Sequence, residues 1–300
     1  ATVAAALLAD PAAVGAPVAA LLVVVPVAVG DALAPLVDTM RSLARAQGSA
    51  ARLDTLLDQE PAVSTPAEPS RVPAAGADGP VLDLAGASAS WDGQRESVPP
   101  TDLHLPRGRH VALIGPNGSG KSTLLGVIAR YLDPSAGTYR LDGVDVAGLD
   151  AREVRQHIAV VDDEPHVLAT SVAENLRLAR PGATDGELRV ALDRSGLGNW
   201  LDGLPDGLET RLGTGGRGLS GGERTRLGVA RAVLADRPVV LLDEPTAHLD
   251  HPTATAVLDD VLAATTDSTV VLVSHRSEAL DRFDSVLDLS GTPPVSARKE

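Results

Sequence analysis

The residues best equipped for chemistry stand together early in the chain's second third: Gly115-Pro116-Asn117-Gly118-Ser119-Gly120-Lys121-Ser122 fits the spacing G-x-x-x-x-G-K-[ST]. In such a loop the glycines let main-chain N–H groups curl around phosphate oxygens. The helix that follows adds the positive end of its dipole, the Lys reaches the terminal phosphates, and the hydroxyl can ligate Mg²⁺. The apolar run 110–114 ahead of the loop and the helical periodicity of 123–131 behind it supply the strand–loop–helix context this chemistry needs. A second candidate is the buried-strand pattern 239–242 ending in Asp243 and Glu244, where the first acid suits a metal ion and the second a water to be polarised. Taken alone, two acids at a strand end describe a solvated loop equally well. A third is Ser220-Gly221-Gly222-Glu223, which opens a helical run. Its S-x-x-E spacing is that of a capping box, while two consecutive glycines also leave room for an anion at the helix start.

These groups need a scaffold, and the rest of the chain describes one. Between 81 and 290, short apolar runs alternate with helical segments, the pattern of an α/β domain with a largely parallel sheet. Before it, residues 58–80 carry Pro61, Pro66, Pro69, Pro73 and Pro80 among small polar residues, which predicts an extended linker and a domain boundary. Residues 11–30 lack any charge, and twenty helical residues span about 30 Å, the thickness of bilayer hydrocarbon. A membrane span is therefore expected there, with a buried soluble helix as the alternative. Arg41, Arg45 and Arg52 follow on the expected cytoplasmic side. Helical spacing of Leu33, Leu36, Val37, Met40 and Leu43, then Leu53, Leu56 and Leu57, carries that helix on to about residue 57. The chain opens at Ala1 inside an apolar stretch and reads as continuing a longer protein; residues 291–300 form a tail.

Composition narrows the classes further. Forty acidic and twenty-six basic residues give a formal charge of −14, which argues against a nucleic acid partner. Aromatics at 2% remove the stacking platforms of single-strand binders. With no Cys, disulfides, thiolate zinc sites and iron–sulfur clusters are excluded, so a metal must sit on oxygen or His. Of the two lysines, Lys121 and Lys299, one lies in the Gly-rich loop.

Together, the Gly-rich loop, Leu219-Ser-Gly-Gly-Glu223 and Leu241-Leu-Asp-Glu-Pro245 resemble the ATP-binding cassette (ABC) ATPases, in the same order and over about residues 81–290. The resemblance implies a P-loop NTPase fold, a RecA-like core plus a helical subdomain, following a transmembrane helix. Residues 1–57 would then be the end of an ABC exporter's membrane domain. It also implies Mg-ATP as the bound species, held by 115–123 (Gly115, Pro116, Asn117, Gly118, Ser119, Gly120, Lys121, Ser122, Thr123) with Ser122 and Asp243 on the metal. Catalytic work would fall to Glu244, Lys121 and His275, the last at the family's γ-phosphate switch position, and Trp91 takes the place of the aromatic that stacks on adenine. Residues 247–250, Ala-His-Leu-Asp, match the D-loop. In that family two domains clamp head to tail, so Ser220, Gly221, Gly222 and Glu223 would serve the partner's nucleotide.

Two departures accompany the match. Asp163 stands where the family carries a Gln that links Mg²⁺ and water to the membrane domain, and Leu212-Gly213-Thr214 replaces the exporter segment that usually contains Gly-Glu. Within the family, the runs 162–167, 174–181 and 204–210 resemble the heterodimeric CydDC-type exporters. That likeness implies a CydD-like second half-transporter as partner, a small-molecule cargo of cysteine or glutathione, a role in cytochrome bd assembly, and an inner-membrane location with a cytoplasmic nucleotide-binding domain. A regulatory subunit with little turnover and an exporter of a drug, lipid or haem are the alternatives.

Overall fold

The computed structural model describes residues 15–59, 61–73, 79–91, 96–213, 218–247, 249–274 and 277–290. Contacts divide the chain into two compact units, Ala1–Pro61 and Ala62–Glu300.

The described part of the first unit is one helix, α1 (Ala16–Leu57), with Pro at its first turn, where the missing N–H is no loss. Pro26 and Pro35 lie inside it. The carbonyl of Pro35 accepts from the Thr39 hydroxyl at 2.7 Å. The expected membrane span at 11–30 is only partly covered by α1. Residues 11–14 lie outside the described residues, and among those described no helix is long and apolar enough to cross a membrane.

Among the described residues the second unit holds two sheets. β1 (Leu82–Ala89), β2 (Val98–Leu105), β4 (Ala136–Leu141) and β5 (Val144–Asp145) form an antiparallel sheet in the order β2-β1-β4-β5. β2 contains Pro99 and Pro100, which donate no ladder hydrogen bond, and it accordingly takes an edge. The other sheet joins β3 (His110–Ile114), β6 (Ile158–Val161), β7 (Val239–Asp243), β8 (Thr269–Val273) and β9 (Ser285–Asp288) in the order β6-β7-β8-β3-β9, with every pairing parallel. β7 and β8 are Val- and Leu-rich and buried throughout apart from Asp243, as expected of strands covered on both faces.

α2 (Lys121–Ile128) leaves β3 through the Gly-rich loop and buries Leu124, Leu125, Val127 and Ile128 in the core it shares with the antiparallel sheet. α4 (Val172–Arg177), α5 (Asp185–Arg194) and α6 (Gly198–Asp202), which follow the short α3 (Ala151–Arg155), form a helical layer. Val172, Leu176, Leu188, Leu192 and Leu201 of that layer pack on Leu227 and Leu234 of α7 (Gly221–Ala235). The other side of α7 joins α8 (His251–Ala264) over the parallel sheet through Val229, Ala232, Val257 and Val261.

The linker expected at 58–80 also needs correction. From Ala62 onward it belongs to the second unit. The Ala62 carbonyl accepts from the Asp133 N–H at 2.8 Å, and Ser64 donates from both its N–H and its hydroxyl to the Asp133 carboxylate, at 2.9 and 3.2 Å. Fully buried Arg130 donates to the Ser64 carbonyl at 3.1 Å. Ser70 N–H bonds the Gly148 carbonyl at 2.9 Å. Proline stiffened this segment, but polar partners far along the chain decided where it lies.

Candidate functional site

The Gly-rich loop sits at the carboxyl end of β3, where parallel sheets place their ligands. Gly120 caps α2 with φ +94°, and a Cβ there would lie 2.2 Å from the Ser97 carbonyl oxygen, so glycine is required twice over. Lys121 opens α2 and is 95% buried; its Nζ donates to the carbonyls of Gly115 and Pro116 at 3.0 Å each. An ammonium has three donors, so the lysine that pins the loop still has one to offer an incoming phosphate.

This loop forms one wall of a cleft of about 560 Å³. Asn117, Gly118, Gly120, Lys121, Ser122 and Thr123 line it together with Glu96, Ser97 and Glu244. Gly115 and Pro116 border a neighbouring recess of about 280 Å³ with Ser274 and Asp288. The Ser119 hydroxyl is buried within the loop without a hydrogen-bond partner. Trp91, 56% exposed, stands beside the cleft with its indole N–H 3.3 Å from the Thr123 hydroxyl and its ring against Gly126.

β7 delivers the two acids. The Ser122 hydroxyl lies close enough to the Asp243 carboxylate to favour its charged form, while Oδ1 of Asp243 is buried with no hydrogen-bond partner. Burial pushes the Asp243 carboxyl above the usual carboxylate range; the nearby Ser122 hydroxyl opposes this, and the charges of Glu244, Asp163 and Asp162 reinforce it. A hydroxyl and a carboxylate oxygen held together beside a phosphate loop, one of them unsatisfied, fit a Mg²⁺ that keeps several waters. Glu244 follows at φ +46°, a conformation sparsely populated by any residue with a Cβ. Its N–H donates to the Val273 carbonyl at 3.2 Å and its own carbonyl accepts from Ala247 N–H at 3.0 Å. This turn directs the chain out of the sheet just where the carboxylate meets the cleft.

Both halves of the capping box form: Ser220 N–H donates to the Glu223 carboxylate at 2.7 Å, and Glu223 N–H to the Ser220 hydroxyl at 3.3 Å. Ser220 to Glu223 do not line the nucleotide-sized cleft. Gly221 instead borders a cleft of about 50 Å³ with Asp163, Glu164, Arg224 and Pro245. The helix they open is fixed from three sides. The Thr225 hydroxyl donates to the Pro245 carbonyl at 3.1 Å, Arg226 pairs with Asp260 of α8 at 2.7 Å, and Arg231 donates to the Asn175 side chain of α4 at 2.7 Å. Asp163 is exposed, accepts from Glu164 N–H at 2.8 Å, and reaches Asp243 through its charge. His275, His248 of the D-loop match and Thr214 lie outside the described residues. Glu96 and Ser97 were not expected; no spacing marks them, because they enter the cleft through the fold of β2 beside Gly120.

A parallel sheet with a phosphate loop at the carboxyl end of β3 defines the P-loop NTPase fold. The family model for ABC transporters matches residues 98–247. The chain belongs to the ABC transporter family and carries its ATPase domain, which uses ATP with Mg²⁺. The Escherichia coli glutathione/L-cysteine transport system ATP-binding/permease protein CydC is 38% identical over 258 residues, 86% of this chain and 44% of that protein. The β-(1→2)glucan export ATP-binding/permease protein NdvA of Rhodopseudomonas palustris is 35% identical over 242 residues, 78% of this chain and 38% of that protein. Among solved structures, a bacterial Atm1-family ABC exporter with ATP bound superposes with a TM-score of 0.70 at 26% identity, covering 83% of this chain and 44% of that one. The chain thus spans less than half the length of these relatives.

Proposed function

We propose that this chain is the ATP-binding and ATP-hydrolysing part of a membrane ABC exporter, acting head to tail with a second half-transporter. The observation that carries this reading is the division of the site. The cleft holds the phosphate loop, Ser122 and Glu244, while Ser220 to Glu223 present a capped helix start elsewhere on the same unit. A helix N-terminus favours anions, so a mate's equivalent segment would close over nucleotide in this cleft and Ser220 to Glu223 would serve the mate's. In this scheme Lys121 binds the terminal phosphates, Ser122 and Asp243 hold Mg²⁺, and Trp91 meets the base. Bound Mg²⁺ neutralises charge developing on the phosphates. Glu244 polarises the attacking water, and His275 senses the γ-phosphate.

Thiols are the proposed cargo and a CydD-like subunit the proposed mate, supported by the CydC likeness over 86% of the chain. Glucan and other cargoes remain the competing reading, supported by NdvA at similar identity. Asp163 in place of the family's Gln supports a further alternative, a subunit that retains ATP with little turnover.

Reconstituting the full transporter in vesicles tests all of these. Glu244→Gln should keep ATP binding and lower hydrolysis by more than about 100-fold, as expected when a group acting on the attacking water is lost. Uptake of labelled cysteine or glutathione into inverted vesicles, with none of glucan, should accompany it in the wild type. Normal hydrolysis by Glu244→Gln would overturn the catalytic assignment, and ATP retained unhydrolysed by the wild-type pair would favour regulation.

A further inference from the structure

Among the described residues lining the nucleotide-sized cleft two are acidic, and of these only Glu244 is accounted for by hydrolysis. The other, Glu96, places negative charge in a cleft built to receive a polyphosphate. Coulomb repulsion makes that unfavourable unless the carboxylate gains a donor from the ligand.

Its surroundings hold it in place. Ser88, 99% buried in β1, donates its hydroxyl to Glu96 Oε1 at 3.0 Å, and the Ser88 Oγ lies 3.3 Å from the Ser135 hydroxyl. A carboxylate offers about four lone-pair positions, so the Ser88 bond fixes Glu96 and leaves acceptor capacity for a ligand.

The cleft also has a direction. Lys121, Ser122 and Glu244 mark its phosphate end, and Trp91, on Thr123 and Gly126, marks where a base would lie. Glu96 precedes Ser97, whose carbonyl packs on Gly120. For a nucleotide with phosphates in the loop and base at Trp91, the sugar is the part that passes Glu96. The sugar's vicinal hydroxyls are the donors a carboxylate can take as a pair.

We infer that Glu96 is a specificity-determining residue that accepts hydrogen bonds from the ribose 2′- and 3′-hydroxyls, selecting ribonucleotides over deoxyribonucleotides. Ser88 is its positioning residue. This rests on the ATP-binding reading above and adds a sugar preference to it.

The test is isothermal titration of the 300-residue chain with Mg²⁺ and ATP, 2′-deoxy-ATP or 3′-deoxy-ATP. The wild type should bind ATP about ten-fold more tightly than either analogue, the effect expected of a hydrogen bond to a charged group. Glu96→Ala should bring the three affinities together, and Ser88→Ala should narrow the gap. Lys121→Ala should weaken all three alike and preserve their ratio, which separates sugar recognition from general loss of binding. Equal wild-type affinities, a preference that survives Glu96→Ala, or a uniform tightening in Glu96→Ala would each overturn the inference while leaving the ATPase reading intact. Failure of the wild type to bind any of the three would overturn both.

Discussion

Replacing Gly120 with Ala tests the packing that builds the phosphate loop. The new Cβ would lie 2.2 Å from the Ser97 oxygen, 3.0 Å from its carbonyl carbon and 3.1 Å from the Val98 Cα. All three are main-chain atoms of the segment leading into β2, so no flexible side-chain tip can swing aside, and that segment must move by about 1 Å to restore ordinary contact. The residue would also be held at φ +94°, which costs about 1–2 kcal/mol for an L-residue. With displacement of the segment, the total should reach about 3 kcal/mol. For a unit of this size each kcal/mol lowers Tm by about 2–4 °C, so Gly120→Ala should melt about 6–12 °C below the wild type. Gly118→Ala is the control: at φ +78° with nothing within 4 Å of its Cβ it carries strain alone, and should lose only about 2–8 °C. Differential scanning calorimetry reads both, and titration with Mg-ATP should show affinity lost in Gly120→Ala by more than about ten-fold. Equal Tm values for the two variants, with ATP affinity unchanged, would refute the claim that Ser97 and the loop are one packed unit.

Two other perturbations follow from the same geometry. The raised pKa of Asp243 means that the folded chain holds its proton to higher pH than the unfolded chain does. Its contribution to stability is therefore fully present at acid pH, and is lost as pH rises from the unfolded value near about 3.9 through the higher folded value. Asp243→Asn in EDTA should raise Tm at pH 7 and flatten the pH profile above about pH 4; a lower Tm at pH 7 would contradict the burial argument. Arg130 is fully buried and holds Asp133, the Ser64 carbonyl and the Val146 carbonyl. Arg130→Met should destabilise by about 3–5 kcal/mol, because Asp133 keeps its charge without its partner. Limited proteolysis should then cut within 62–73 faster than in the wild type, and unchanged cutting would show that Arg130 does not anchor that segment.

What the sequence determined was local. Gly115 to Ser122, the acids after 242 and the box of Ser220 and Glu223 each depend on residues a few positions apart, whose spacing sets hydrogen bonding before any distant contact forms. Alternation of apolar runs gave the α/β class for the same reason, since period and burial are properties of short windows. The tertiary structure decided what depends on separation along the chain. It put Ser97 against Gly120, brought Ser122 of one strand–helix turn onto Asp243 of another, and set Asp163 beside Gly221. It also turned a proline-rich stretch into one docked on Asp133 and Arg130. Periodicity within a window cannot encode which distant window it will meet; that choice belongs to packing and to the demand that buried polar groups find partners.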